Sequence, residues 1–508
     1  MAVVVPSGVS ERDLSRALEA LEAALGRDAV VTAADDLLEF RDPYWHKASD
    51  SYDVSAAVLP TTVEQVQAVV RIAGEHGVPL WTFGQGRNNT YGGPAPRTRG
   101  SVLVNLREMN RVLEINEELA YAVVEPGVRW FDLYDALEAA GGGLWPSIPD
   151  LGWGSVVGNS LEYGRGYTPG GDHASSLCGL EVVLPSGEVL RTGMGAMTDS
   201  KSWRIYQHGY GPSVEGLFKQ SNLGIVTSAG VWLQPRPEVY APCWAQFDGE
   251  EPFEAVIDTI RALMLEGTVR GYPMISRGIN SGASDDERSL DERSRTWTLR
   301  FALWGRAEIV EAAYGIAERS FGTVPGVSVW RRVFHGQDRA GSRDHDERVQ
   351  CGIPDMDLLD LFKVPYGEDT GHLDFSPIGP CTAREVASTA TLVDSLYQRH
   401  GRTYVVGILL APRTAIHVSS VFFDPHDRKQ TQDVYDTYTE MVGELARAGY
   451  PIYRTNIHHM DVVAEQFDFN DHVLRRFVET IKDAVDPNGI LSPGKQGIWP
   501  KAARDARA

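Results

Sequence analysis

The densest chemistry in this 508-residue sequence lies in two glycine-rich runs of its first half. The first is Gly84-Gln-Gly-Arg-Asn-Asn-Thr-Tyr-Gly-Gly93. Glycines let a backbone turn sharply and approach a ligand, so that successive N–H groups form an anion-binding nest. Arg87 adds charge there, and Asn88 and Asn89 supply amide hydrogen bonds. The run is not a Rossmann fingerprint, because Asn89 takes the third glycine's place. Nor is it a Walker loop, because no Gly-Lys-Ser/Thr follows. A purely structural turn accounts for the same residues. The second run, Pro149-Asp-Leu-Gly-Trp-Gly-Ser-Val-Val-Gly-Asn159, continues to Gly164-Arg-Gly-Tyr-Thr-Pro169. Two such runs suit a long ligand lying along the backbone. Ser155 lacks a Gly-x-Ser-x-Gly elbow, which argues against a serine nucleophile. Asp150 alone reads as a turn or cap residue.

The second half offers scattered polar groups. His372 lies in Thr370-Gly-His-Leu-Asp-Phe-Ser-Pro377, a strand-like segment, where a lone histidine is ordinarily structural. His417 and His458-His459 have no His-x-x-x-His or His-Glu-x-x-His spacing, so no metal site is predicted. Tyr453-Arg454 sets a phenol beside a guanidinium that could bind an anion. His345 stands in a charged stretch, 335–349, and is expected at the surface. Cys178, Cys243, Cys351 and Cys381 lie far apart, without zinc or redox spacing, and read as buried free thiols.

The elements that must hold these residues alternate between helix and strand up to about 235. Thr61 and Glu64 stand in capping-box spacing ahead of the stripe Val63, Val66, Val69, Val70 and Ile72. Strands are predicted at 78–83, 101–106 and 120–124, with a hairpin of 180–184 and 188–191 around Pro185-Ser-Gly187. Composition shifts at Gln234-Pro-Arg-Pro237. Beyond it two charged stretches, 284–295 and 335–349, interrupt the alternation. The near repeat Asp286-Glu-Arg-Ser289 and Asp291-Glu-Arg-Ser294 reads as a solvated loop. A last helix from about Asp471 carries Val473, Phe477 and Ile481 beside Leu474 and Val478, and Asp486-Pro-Asn-Gly489 ends it. This is an α+β pattern, long enough for two or three domains.

Lys plus Arg number 48 and Asp plus Glu 69, a formal charge of −21. Such a chain suits neither nucleic acid nor an anionic membrane, which both reward clustered cations. No apolar stretch reaches the roughly 18 residues of a membrane span. The first residues lack a signal-peptide pattern, so a cytoplasmic protein is expected.

Taken in order, the segments resemble the vanillyl-alcohol-oxidase family of flavoproteins. They are closest to its 4-phenol oxidase branch, including the members that oxidise eugenol and vanillyl alcohol. The matching pieces are the runs 86–93 and 149–159, Glu125-Pro-Gly-Val128, Gly166-Tyr-Thr-Pro169, Gly171-Asp-His173 and Gln220-Ser-Asn-Leu-Gly-Ile-Val226. Later pieces are Gly371-His372 with Phe375-Ser-Pro377, Tyr453-Arg-Thr455, Pro487-Asn-Gly-Ile490 and Pro493-Gly-Lys495. The resemblance spans nearly the whole chain and implies a two-domain FAD-binding fold of the PCMH type. Its FAD-binding domain would be 1–236, completed by 487–508, with a substrate or cap domain at 237–486. Gly84, Gly86, Arg87, Asn88, Asn89, Thr90 and Gly92 would line FAD, together with Pro149, Gly154, Ser155, Gly158 and Asn159. Gly224, Ile225, Val226 and Lys495 would lie nearby. His372 falls where the oxidases attach FAD covalently as an 8α-histidyl group. The related cresol dehydrogenase has tyrosine there.

By the same resemblance, Tyr91, Tyr453 and Arg454 form a phenol-binding trio. Two hydroxyls and a guanidinium stabilise a phenolate, lowering the phenol pKa from about 10. The phenolate then gives up benzylic hydride and becomes a para-quinone methide. Asp150 is assigned as the base that activates water for addition, and Tyr167 lines the same cavity. Dioxygen takes the electrons and leaves as H₂O₂. Asp374, Ser376, Gly407 and Leu409 line the substrate pocket. Asp374 stands where the eugenol-oxidising member has glycine, and Gly407 and Leu409 where it has glutamine and isoleucine. Gly407 reads as opening volume and Asp374 as holding a hydrogen bond or water, which together imply room for ortho-methoxy groups. The expected substrates are 4-allyl, 4-alkyl or 4-hydroxymethyl phenols, and the expected assembly is a homodimer. A 4-cresol-type dehydrogenase feeding a cytochrome, or an FAD-linked hydroxy-acid oxidase, are the alternatives. His372 argues against the first and the trio against the second.

Overall fold

The computed structural model describes residues 4–46, 49–277, 295–342, 344–363 and 366–506. Among them, short strands separated by glycine-rich loops build a small sheet of strands Val30–Val31, Ala56–Val58, Val102–Asn105 and Leu80–Phe83, in that order. The last three run parallel. A five-stranded antiparallel sheet follows, Val112–Asn116, Tyr121–Val124, Ile225–Trp232, Leu177–Val183 and Val189–Arg191. The predicted hairpin is the last pair.

A nine-stranded antiparallel sheet is built from 239–423. Side chains alternate across a strand with period two. Leu373 and Phe375, Val406, Ile408 and Leu410, and Ile275 therefore face one way, into a core with helices Phe253–Leu265, Ala383–Arg399 and Arg428–Arg447. The opposite face carries His372, Asp374, Gly407, Leu409, Met274 and Ser276 to a cavity. Register aligns them: Met274 pairs with Leu409 and Arg300, Ser276 with Gly407, and Asp374 with Ser420.

The segment after Val485 returns to the small sheet. Leu80 donates its N–H to the Ile490 carbonyl at 2.7 Å and accepts from Ser492 at 2.8 Å. Lys482 and Asp486, both fully buried, anchor this return. The Lys482 ammonium lies 2.7 Å from Asp486 and donates to the carbonyls of Asn222 and Leu491. Asp486 accepts the N–H groups of Ile490 and Leu491.

Several local expectations shift. Helix Val63–His76 is capped by Thr62, whose hydroxyl accepts from Gln65, so the cap is one residue later than Thr61 with Glu64. The last helix, Phe469–Val485, leaves Val473, Leu474 and Phe477 exposed, because it docks through Ile481 and Lys482 instead. The repeat at 286–294 lies outside the described residues. Among the described residues all four cysteines are free and buried, and no helix is long and apolar enough to cross a membrane.

Candidate active site

A cavity of about 460 Å³ runs between the two glycine-rich runs and the inner face of the large sheet. Its floor comes from strand Leu80–Phe83 and the loop after it, where Gly84 is forced: a Cβ there would lie 2.6 Å from the Pro126 carbonyl and 2.7 Å from Ser155 Oγ. Ser155 caps helix Val156–Leu161, accepting from Gly158 and donating to Pro126, which explains its presence without nucleophilic chemistry. Gly86, Arg87, Asn88, Asn89, Thr90, Pro149, Gly154, Gly158, Asn159, Gly224, Ile225, Val226 and Lys495 all reach the cavity wall. The Lys495 ammonium lies 2.5 Å from Glu162, whose carboxyl burial would push up but the lysine holds low.

Two predicted residues do not line the cavity. Gly92 turns away with φ +97°, and a Cβ there would press on Ile457, so its role is close packing. Ser376 is fully buried against the Tyr91 hydroxyl, so it packs next to Tyr91 without reaching the wall.

Three segments come together around Tyr91, Tyr453 and Arg454. Tyr91 closes the turn Asn89–Tyr91. Thr90 Oγ1 accepts the Asp374 N–H at 2.7 Å, and its carbonyl accepts Asn456 Nδ2 at 3.2 Å. Tyr453 donates its N–H to Ser376, and its carbonyl accepts Gln220 at 2.8 Å. The Arg454 guanidinium stacks on the Tyr91 ring. Burial drives the Tyr91 hydroxyl well above its ordinary pKa, so it stays a donor. Asp374 accepts the Ser420 hydroxyl at 2.7 Å, and His372 stands two residues before it on strand Gly371–Phe375.

Asp150 lines the same cavity within a polar cluster. Its Oδ2 accepts the Tyr167 hydroxyl, and its Oδ1 accepts Arg300 Nη2 at 3.1 Å and lies 3.1 Å from His345 Nε2. Burial pushes the Asp150 carboxyl up, but the hydrogen bond from His345 and the Arg300 charge outweigh it and hold it well below the usual range. Arg300 stacks 4.0 Å over Tyr167 and also pairs with the buried Asp346. His345 is buried, not superficial: the 344–357 strap folds inward and the imidazole also meets Asp355 at 2.7 Å. The expectation of a surface His345 fails because a histidine in a charged stretch carries no local signal of burial, and Arg300, Asp346 and Asp355 have no motif that would mark them in the sequence.

Gly407 does not open volume. A Cβ there would lie 1.9 Å from Met274 Cε, so the thioether fills the space that the missing side chain leaves.

The residues suit FAD. A Cβ at Gly154 would meet nothing within 4 Å, and the buried His372 Nδ1 has no hydrogen-bond partner at the cavity wall. Burial also lowers the His372 pKa, which favours the neutral imidazole.

Residues 54–193 match the FAD binding domain family. The chain is 32% identical to the 4-cresol dehydrogenase [hydroxylating] flavoprotein subunit of Pseudomonas putida, covering 97% of this chain and 98% of the relative. A solved 4-ethylphenol oxidase from Gulosibacter chungangensis, in complex with isoeugenol, superposes with a TM-score of 0.92 at 33% identity, covering 98% of this chain and all of that one. p-Cresol methylhydroxylase with substrate bound superposes at 0.90 and 32% identity, covering 98% of this chain and 99% of that one.

Proposed function

The chain belongs to the vanillyl-alcohol oxidase and p-cresol methylhydroxylase family of FAD-linked flavoproteins, and from that premise we propose that it oxidises para-substituted phenols at the benzylic carbon. The observation that carries this reading is the grouping of Tyr91, Tyr453 and Arg454 at one end of the cavity with Asp150 lining the same cavity. FAD, when bound, supplies the hydride acceptor and passes the electrons on to O₂.

Arg454 and the two tyrosines bind the substrate oxygen as phenolate. By favouring loss of the phenol proton to water they leave a phenolate, whose oxygen pushes electrons through the ring as hydride departs, and they stay hydrogen-bonded to the oxygen of the neutral quinone methide that results. Leu409, Ile416 and Val418 form an apolar wall for the ring and tail. Asp150 accepts the proton of the water that adds to that carbon. Asp374 with Ser420 stands beside Tyr91 and reads an ortho oxygen, directly for a hydroxyl and through water for a methoxy group. His372 is the attachment point for the cofactor, and 1–236 with 487–508 is the half that holds it.

The test is anaerobic addition of 4-ethylphenol to the yellow protein. Bleaching of the flavin absorbance, then H₂O₂ formed in step with reoxidation by air, is the expected result. An unbleached flavin refutes the substrate class. Bleaching followed by reoxidation by a cytochrome but not by O₂ would assign the acceptor used by the cresol dehydrogenase of the resemblance instead.

A further inference from the structure

We propose that His345 and Asp355 are a positioning pair for Asp150: an imidazole clamped between two carboxylates that fixes the Asp150 side chain against the cavity and keeps it ionised until it takes up a proton. The proposal rests on the phenol-oxidation reading only for the step it serves.

The geometry is specific. His345 Nδ1 lies 2.7 Å from Asp355 Oδ1 and Nε2 lies 3.1 Å from Asp150 Oδ1. A neutral imidazole has one N–H and would leave a lone pair facing the second carboxylate. Both contacts are donations only in the imidazolium. Asp355 is itself held. Its Oδ1 accepts the Asp357 N–H at 3.1 Å, and its carbonyl accepts the Gly152 N–H at 2.9 Å. One residue therefore ties the 149–154 loop to the strap twice, through the backbone and through His345. The second oxygen, Asp355 Oδ2, is buried without a hydrogen-bond partner.

The groups facing His345 are Asp150 from the loop, Asp355 from the strap, and Arg300 with its partner Asp346 and its stacked neighbour Tyr167. Glu347, on the same helix His345–Gln350, is paired with Arg332. Three carboxylates are thus set against one permanent cation, and the imidazolium supplies the second positive charge. Burial alone would lower the His345 pKa, but the two carboxylates raise it to about 9.

The consequence for the reaction follows. In hydration of the quinone methide, a C–O bond forms from water to the benzylic carbon. The ring electrons return to the phenolate oxygen, and the water proton goes to Asp150. Arg300 and the His345 N–H hold Oδ1, leaving the carboxylate oriented for that proton. Once His345 loses its Nε2 proton, two lone pairs face each other across 3.1 Å and the carboxylate loses one of its two Oδ1 donors.

The experiment reads the products of 4-ethylphenol as the alcohol fraction per flavin reduced, from pH 6 to 10.5, in wild type and His345→Gln. Glutamine can still donate to Asp150 but does not titrate. Wild type is expected to lose alcohol in favour of alkene by about fivefold as pH passes 9, and the variant to show no step there. A step that survives in His345→Gln, or no step in wild type, overturns the proposal. Asp355→Asn, which removes one carboxylate, should move the step down by a pH unit or more, and an unmoved step counts against the pair. The ¹H NMR spectrum of the holoprotein provides a readout without substrate. Two imidazolium N–H resonances downfield of the amides, absent in His345→Gln and lost above pH 9, are expected. If wild type never bleaches with any 4-alkylphenol, the phenol reading fails while these resonances still decide the pair, and their absence refutes it.

Discussion

The Arg454 guanidinium carbon lies 4.4 Å from the ring centre of Tyr91. On the proposed phenol oxidation, a planar cation stacked on one phenol and adjacent in sequence to Tyr453 would receive the phenolate oxygen. Lysine keeps the charge but not the plane. Arg454→Lys is expected to lower kcat/KM for 4-ethylphenol by about 10²–10³, the scale of losing one preorganised donor. The phenolate absorbance of a bound, unreactive phenol should shrink in parallel, and full-strength phenolate in the variant would disprove the assignment.

His372 carries a neutral, partnerless Nδ1 at the cavity wall. Acid precipitation should leave the flavin in the pellet for wild type and in the supernatant for His372→Ala. Flavin released from wild type would show a dissociable cofactor.

Met274 occupies the space over Gly407. Gly407→Ala should push the thioether into the cavity at an overpacking cost of about 1 kcal/mol, raising KM for dimethoxy phenols more than for 4-ethylphenol. Met274→Ala in the same chain should relieve it. A single variant with unchanged KM for every phenol would show that the methyl has somewhere else to go.

Stability should peak near pH 6.5. His173, His417 and His459 are buried, and burial lowers each to about 3. The unfolded chain takes up their protons first, so each costs about 1.4 kcal/mol per pH unit on acidification from 6 towards 4. His345 has the opposite sign. Its folded pKa of about 9 exceeds the unfolded value, so its contribution is complete below 6.5 and is lost as pH rises through 9. Thermal melts across this range should therefore fall on both sides, and the alkaline fall should vanish in His345→Gln.

Lys482 is buried, pairs with Asp486 and donates to the Asn222 and Leu491 carbonyls beside the cofactor cavity. Lys482→Met leaves a buried carboxylate without its counter-ion, a loss of about 3–5 kcal/mol. Flavin incorporation should fall with Tm, as read by the flavin absorbance per protein of the purified variant. A variant as stable and as yellow as wild type would deny the lysine this role.

The glycine runs, the strand before Gly84, the hairpin predicted at 180–191 and the strand holding His372 and Asp374 were legible because each is specified by neighbours in sequence. Turn chemistry and period-two alternation act over a few residues. The positions of Tyr91, Asp150, Tyr453 and Arg454 around one cavity entered through resemblance, since no local pattern links a turn at 89–91 to a segment at 453–454.

What the sequence by itself determined is therefore the α+β pattern, the glycine-rich runs that line the cavity, and the residue types able to serve a flavin and a phenol. Tertiary structure alone decided which charges are buried and which spaces are filled. His345 meets Asp150 across 195 positions, and Arg300 meets the same carboxylate across 150. Met274 closes the gap above Gly407 from a neighbouring strand. The physical reason is common to all three. Burial and pairing are properties of surfaces brought together by sheet register and strap packing, so a histidine in a charged stretch looks the same in sequence whether it ends in water or between two carboxylates.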